Sequence, residues 1–420
     1  MDHPMPQPLR ERLAAEHRQA LNDAPDRTGR QRMRRQLLYL WSRRYPQTGA
    51  KLPSSPKRIL VVRPDHLGDL LFTTPALRLL RTQYPGAKIT GLVGPWGRPV
   101  LEDNNDLDRL IVCAFPGFTR QPKGSLIDPY KLLFEEAERM SDLGFDLAFI
   151  LRFDHWWGAW LTAAAGIPFR IGYDCPEVAP FLTHPIPYSH GRHEVVQNLA
   201  LVDAAGPAPG QADSPTVPPG AWPLHFPISA KHDQQARALF ASLDSTRPVV
   251  AIHPGSGAEI KHWRTGAWAS LVAKLQQQHD IQVLFTGSAV ETDLIDAILQ
   301  QVPPALQGQL PHSLAGQTDL QSLAAIYRRC RLVIGPDSGP LHLAVAAGTP
   351  TIHLYGPVDK KTFGPWGNSQ RHRVVTSDWG CIPCNRLDWR PHQLPDHGCV
   401  RDITVEQVMA EASRLLLSPN

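Results

Sequence analysis

Ile59-Leu-Val-Val-Arg63-Pro-Asp65-His-Leu-Gly68-Asp69-Leu70-Leu-Phe-Thr73-Thr74-Pro75-Ala-Leu-Arg78 is the stretch from which the rest of the chain is read. A β-branched apolar run ends in a short polar turn with one glycine, and a helical pattern follows. That is a strand–loop–helix unit with carboxylates where the strand stops. In open α/β sheets ligands bind outside the carboxyl ends of the strands, so Asp65 and Asp69 point at a cleft. Gly68 allows a tight turn and a close substrate approach. An aspartate at a helix start is also a cap, and the motif alone leaves both roles open.

Composition narrows the class. At 420 residues the chain exceeds what one core usually serves, so two domains are expected. Its apolar fraction of 42% and charged fraction of 20% describe an ordinary globular protein. No apolar run is long enough to span a bilayer, and Met1-Asp-His-Pro-Met-Pro lacks the apolar centre of a secretory signal. Six cysteines in a chain this long do not make a disulfide framework, and a cytoplasmic location is expected. Residues 1–58 hold 13 Lys/Arg against 5 Asp/Glu, whereas the remainder holds 30 against 34. The basic excess therefore sits in a leading segment, and no nucleic-acid partner is expected.

Residues 1–56 read as a basic N-terminal extension. Arg30 to Arg44 carries six arginines and no acid around Leu37-Leu38-Tyr39-Leu40-Trp41. Such a helix suits either an anionic membrane surface or loose packing on the body. Pro53-Ser-Ser-Pro56 then punctuates the chain. Residues 57–225 are expected to form a Rossmann-like domain, with strands at Arg58–Val62, Lys88–Val93, Arg109–Ala114, Asp146–Leu151 and Phe169–Tyr173. Helices are expected at Pro75–Gln83, Tyr130–Leu143, Trp156–Ala165 and His193–Ala204. The Pro/Gly-rich run from Gly206 to Gly220 marks the approach to a boundary. Residues 226–400 repeat the architecture. Their strands are expected at Pro248–His253, Ile281–Gly287, Arg331–Gly335, Pro350–Tyr355 and Arg373–Thr376. Their helices are expected at Thr265–Gln278, Thr292–Gln300, Leu320–Arg328 and Leu341–Ala347. Residues 401–420 hold an amphipathic helix expected to cross back onto the first domain.

Three loops of the second domain follow strands. Gly255, Ser256 and Gly257 offer backbone N–H groups and a hydroxyl, and Lys261 follows, a set that suits a diphosphate. The spacing is not that of a Walker P-loop. Phe285-Thr-Gly287-Ser-Ala-Val-Glu291 places an acid at a helix start, to hold a ribose diol or to favour its own first turn. Asp337, Ser338, Gly339 and Pro340 follow a buried strand and open a helix whose N-terminus favours anions. His342, five residues after Asp337, reads as an orienting or structural histidine.

These motifs together resemble glycosyltransferase family 9, the bacterial heptosyltransferases that use ADP-heptose to build the lipopolysaccharide inner core. Gly68-Asp69 with Thr73-Thr74-Pro75, His253-Pro-Gly-Ser with Lys261-His-Trp263, and Asp337-Ser-Gly-Pro-Leu-His342 with Gly348-Thr-Pro350 carry the resemblance, from about residue 57 onward. It implies a GT-B fold, two Rossmann-like domains with parallel sheets facing across a cleft, and an inverting, metal-independent transfer. Asp69 falls on the family's general base. Lys261 and Gly255 to Gly257 match its diphosphate-binding part, Glu291 a ribose-binding acid and Asp337 an acid contacting the donor sugar. Arg63, Asp65 and His193 are acceptor-side candidates, though Arg63 and Asp65 also suit a mutual pair. The family's lipopolysaccharide enzymes often carry a threonine-rich loop where this chain has Pro254-Gly-Ser-Gly257.

No cofactor and no metal are expected. Were a metal bound, the Cys-x-x-Cys pair Cys381 and Cys384 with Cys399 would be its ligands, and His397, His392 or an acid the fourth; cysteine pairs there recur in the family. The implied partners are a nucleotide-sugar donor and a lipid-linked saccharide acceptor, reached from the inner face of the cytoplasmic membrane. The alternatives are the same fold with another nucleotide sugar, a protein or O-antigen acceptor, or a non-catalytic sugar-nucleotide-binding subunit of a glycan assembly complex.

Overall fold

The computed structural model describes residues 28–46, 51–119, 125–206, 217–244, 246–303 and 312–418, with residues 11, 12 and 15. Residues 207–216 of the Pro/Gly-rich run, and most of the chain before residue 28, lie outside the described residues. Two compact units emerge, one within Pro25–Trp222 and one within Pro223–Asn420.

The first unit is built on a six-stranded parallel sheet. Its strands are β1 (Arg58–Arg63), β2 (Lys88–Val93), β3 (Arg109–Val112), β4 (Leu147–Ile150), β5 (Phe169–Tyr173) and β6 (His184–Ile186). Their spatial order is β3-β2-β1-β4-β5-β6. From Ile59 onward β1 is buried, and so is all of β4, because helices cover both faces of the sheet. Its longer helices are α1 (Thr28–Ser42), α2 (Leu67–Gln83), α3 (Asp128–Ser141), α4 (Trp156–Ala164) and α5 (Glu194–Asp203). Helices α2 and α5 pack together, and Tyr84 at the end of α2 donates to the Ala205 carbonyl after α5 at 2.8 Å. Leu133 and Met140 of α3 and Trp157 and Trp160 of α4 share one core with Leu60, Val62 and Ile150.

The second unit repeats this plan. Its strands are β7 (Val249–Ile252), β8 (Gln282–Phe285), β9 (His312–Ser313), β10 (Leu332–Pro336), β11 (Thr351–Tyr355) and β12 (His372–Thr376), ordered β12-β11-β10-β7-β8-β9. Its longer helices are α6 (Ala230–Ala241), α7 (Thr265–Gln278), α8 (Thr292–Leu299), α9 (Leu320–Tyr327), α10 (Gly339–Ala346) and α11 (Val405–Leu417). No helix among the described residues is long and apolar enough to cross a membrane.

Each sheet has one strand more than the sequence suggests. Both extra strands, β6 and β9, are short edges. Pro185 inside β6 offers no N–H to a further neighbour, and two or three residues give no readable alternation. Helix α2 starts at Leu67 rather than at Pro75, so Pro75 lies in its interior. The carbonyl that a proline leaves without its usual partner is that of Leu71, and the Thr74 hydroxyl donates to it at 2.8 Å. Thr73 makes the same kind of bond to the Asp69 carbonyl at 2.9 Å. The two threonines therefore serve the helix itself.

The C-terminal helix α11 buries its stripe in the second unit. Its buried residues Val408, Met409, Ala412 and Leu415 join the core of the second unit with Trp268, Leu271 and Leu354. It packs on α7 and on β10 to β12. The Lys274–Glu406 pair at 2.8 Å and the Arg373–Glu411 pair at 2.7 Å hold it on that side.

Candidate active site

In each sheet the strand order reverses once, between β1 and β4 in the first and between β7 and β10 in the second. Loops there diverge, and the gap between them is where such sheets take ligands. Every loop singled out above, apart from that of Glu291, leaves one of these four strands.

In the first unit Arg63 ends β1, and its guanidinium gathers three carboxylates. Its Nε lies 2.7 Å from Asp65, and its Nη2 lies 2.8 Å from Glu194 and 3.8 Å from Asp69. Its Nη1 donates to Asn198 at 3.2 Å, and Asn198 in turn donates to the Phe72 carbonyl of α2. Across the reversal, Arg152 from the end of β4 pairs with the other oxygen of Asp65. The Arg63 and Asp65 side chains are 3% exposed, whereas that of Asp69 is 32% exposed. Asp69 is therefore the carboxylate of this group that a ligand can touch.

Electrostatics separates the carboxyls further. Burial works against Asp65, but Arg63 and Arg152 hold its carboxyl below the usual range. Asp69 goes the other way. Burial and the Asp65 charge, with Glu194 adding to them, push it up to about 7 against the pull of Arg63 and Arg152. A carboxylate that takes up a proton near neutrality is suited to general-base work. His155, buried among Phe115, Phe118 and Trp157, is pushed by burial down to about 3, so it stays neutral.

His193 lies beside this group without joining it. It caps α5, its Nδ1 accepting from the Val195 N–H at 3.1 Å, and its ring meets Phe72 edge-on. The next residue, Glu194, is the one that reaches Arg63. Sequence reasoning passed over Glu194, Asn198 and Arg152. Arg152 directly follows the predicted strand Asp146–Leu151, which was its available signal.

In the second unit Lys261, from the turn after β7, meets Asp337, from the end of β10, at 2.7 Å. His342, in the first turns of α10, lies 3.6 Å from the other Asp337 oxygen. A separation of five residues brings them together because Asp337 precedes the helix. Burial would lift the Asp337 carboxyl, but the His342 bond and the Lys261 ammonium hold it well below the usual carboxylate range. Ser338 is the N-cap of α10 but makes no side-chain cap bond, and Gly339 opens the helix.

The loop with Gly255, Ser256 and Gly257 follows His253. Gly255 is there because Glu291 is: a Cβ at 255 would lie 1.7 Å from the Glu291 carboxylate. Glu291 accepts from the Ser288 N–H at 2.6 Å and the Ser288 hydroxyl at 2.7 Å, and lies 3.9 Å from His253 Nε2. The acid thus caps its own turn and borders the loop. Ser256 donates to the Ala258 carbonyl at 2.8 Å, which tightens the turn. Buried beneath, His253 Nδ1 lies 3.1 Å from the Thr286 hydroxyl, which lies 2.9 Å from the Tyr327 hydroxyl. That triad under the loop had no local signature in the sequence.

Cys381, Cys384 and Cys399 form no disulfide. Among the described residues no group of three or more His, Cys, Asp or Glu is placed to hold a metal ion. The His397 ring stacks 3.7 Å from that of Trp389 instead, under the Arg386 guanidinium.

Comparison with known proteins places this geometry. The profile of glycosyltransferase family 9 (heptosyltransferase) matches residues 137–389. Lipopolysaccharide heptosyltransferase 3 of Escherichia coli K12 is 27% identical over 305 residues, covering 71% of this chain and 82% of its own. Two solved structures share the fold. A glycosyl transferase family 9 protein from Veillonella parvula has a TM-score of 0.69 at 24% identity, covering 86% of this chain and 97% of its own. The E. coli ADP-heptose lps heptosyltransferase II has 0.67 at 24%, covering 86% and 98%.

Proposed function

Because the chain belongs to glycosyltransferase family 9 and is a glycosyltransferase, we propose that it moves a heptose from ADP-heptose to a lipid-linked lipopolysaccharide core acceptor at the inner face of the cytoplasmic membrane. The transfer is inverting and needs no metal. The acceptor hydroxyl oxygen forms a bond to the anomeric carbon while its proton passes to Asp69. The bond from that carbon to the diphosphate oxygen breaks, and the nucleoside diphosphate leaves with the electron pair. Such a displacement needs a base for the alcohol and positive charge for the leaving group.

One observation carries the reading: Asp69 is the accessible carboxylate of a group whose other carboxylates, Asp65 and Glu194, are buried, and it is poised near neutrality. Arg63 holds it in place, and Arg152 holds Asp65. For the leaving diphosphate the second unit offers Lys261, the N–H groups of residues 255–257 and the N-terminus of α10. Lys261 is steadied by Asp337, which His342 orients. Glu291 serves the donor ribose. The ADP-heptose named with the E. coli structure supports adenine as the base and heptose as the sugar.

The test is transfer by Asp69→Asn, followed by mass spectrometry with ADP-heptose and a heptose-free core acceptor. A loss of about 10²- to 10⁴-fold in kcat with donor affinity retained is expected. Unchanged turnover would remove Asp69 from the mechanism. Binding of a guanine or uracil nucleotide sugar in place of ADP-heptose would overturn the donor.

A further inference from the structure

Large apolar side chains left at the surface are concentrated in one place. Of twelve such residues among those described, nine belong to α1 or to the start of α3. Met33, Leu37 and Leu40, at 58%, 51% and 57% exposure, recur at the spacing that puts them on one face of α1. Helix α1 is nevertheless seated firmly. Leu38 enters the first unit's core, Trp41 packs on Trp160, and Arg34 and Arg35 both pair with Glu177 at 3.2 Å. The chain after it is tied down by Arg170, which donates to the Pro46 carbonyl at 2.7 Å. The helix is held by one side and bare on the other.

Helix α3 adds to the same region. Tyr130 and Phe134 lie against Trp160 with ring centroids 5.9 and 6.0 Å away, and Leu126 and Ile127 stand exposed just before it. Trp160 is thus the hub around which both helices present apolar and aromatic side chains. A contiguous apolar patch of this kind on a soluble protein marks a contact surface.

Charge decides which contact. Residues 28–46 carry six arginines and no acid. The Arg43 and Arg44 guanidiniums lie over the rings of Tyr39 and Trp41 at 5.3 and 4.1 Å. Helix α3 carries Lys131 and Arg139 against Asp128, Glu135, Glu136 and Glu138, so the charge preference comes from α1 alone and the apolar area from both. Apolar residues flanked by Trp, Tyr and arginine make the pattern of a helix that lies in a lipid headgroup layer. A second copy in a two-fold contact would set one arginine strip against another. We propose that α1 and the start of α3 form an interfacial surface that seats the first unit on an anionic phospholipid bilayer.

The surface lies where a lipid-linked acceptor would need it. Trp156, at the first turn of α4 and beneath the Arg34 guanidinium, is four residues beyond Arg152, the partner of Asp65. The start of α1 thus reaches toward the carboxyl edge that carries the Asp69 group, while Arg170 at the amino end of β5 holds the chain after it.

The experiment is co-sedimentation of the full chain with vesicles of phosphatidylcholine alone or with about one-third phosphatidylglycerol, with no donor present. Binding about tenfold or more tighter to the anionic vesicles, and weaker in high salt, is expected. Leu37→Ser/Leu40→Ser should weaken it about tenfold or more with an unchanged melting curve. Arg43→Gln/Arg44→Gln should abolish the preference for anionic lipid, which keeps the proposal testable if the first variant folds poorly. Equal binding to both vesicles, no binding, or variants that bind as the parent does would overturn it. So would light scattering that finds a dimer lost in the Leu37/Leu40 variant, because a second copy would then be the occupant. Vesicle binding is read apart from transfer, so failure of either reading leaves the other standing.

Discussion

Both sheets run in the same order, and both place an aspartate where that order reverses, yet the two carboxyls move in opposite directions. Asp337 has one ammonium and one imidazole to itself. Asp69 shares the Arg63 guanidinium with Asp65 and Glu194, which both lie closer to it. The count of partners decides which becomes a fixed anion and which can take a proton. Two aspartates beside the same kind of strand reversal, Asp69 after β1 and Asp337 after β10, can therefore differ as a group that takes a proton and a fixed anion.

The largest effect that would test this contrast falls on the anchor. Lys261→Met leaves Asp337 buried without its cation, which should cost about 3 kcal/mol of stability and about 10²-fold in transfer. Adding Asp337→Asn should restore the urea midpoint without restoring kcat. Recovery of both would assign Lys261 a purely structural role.

A smaller effect sharpens the other side. Glu194→Gln keeps an oxygen for Arg63 but removes a charge that raises the Asp69 carboxyl. The acid limb of kcat/KM, expected near pH 7 because only the ionised base works, should move to lower pH by about half a unit to one unit. A limb that stays in place would detach Glu194 from the base.

The smallest effect is on stability alone. The Asp69 carboxyl binds its proton more tightly folded than unfolded, so the folded state holds more protons between about pH 4 and 7. Its contribution to stability is present below that window and is lost as pH rises through it. Asp69→Asn should therefore raise the melting temperature at pH 8 and change it little at pH 4. A gain of equal size at both pH values would mean that Asp69 is not held near neutrality.

Much of this was legible because periodicity and turn chemistry act locally. The run from Ile59 to Val62, the glycine turns at Gly255 and Gly339 and the alternation of elements all announce themselves within a few residues. Glu194 did not, because an acid in the first turn of a helix is fully explained by that helix. Arg152 matters through Asp65, 87 residues away, and Asn198 through Arg63, 135 residues away. Pro75 misled by looking like a helix start, since its cost is met by a threonine hydroxyl one residue earlier. The amphipathic pattern of α11 was legible too, because its apolar stripe recurs within one helix.

The contact between Gly255 and Glu291 reaches beyond its own loop. One methyl group at position 255 would evict the carboxylate that closes the turn after β8, and that carboxylate also faces His253 above the Thr286 and Tyr327 hydroxyls. Two separate stretches of chain are thereby locked into a single inheritance: neither can drift in size unless the other shrinks.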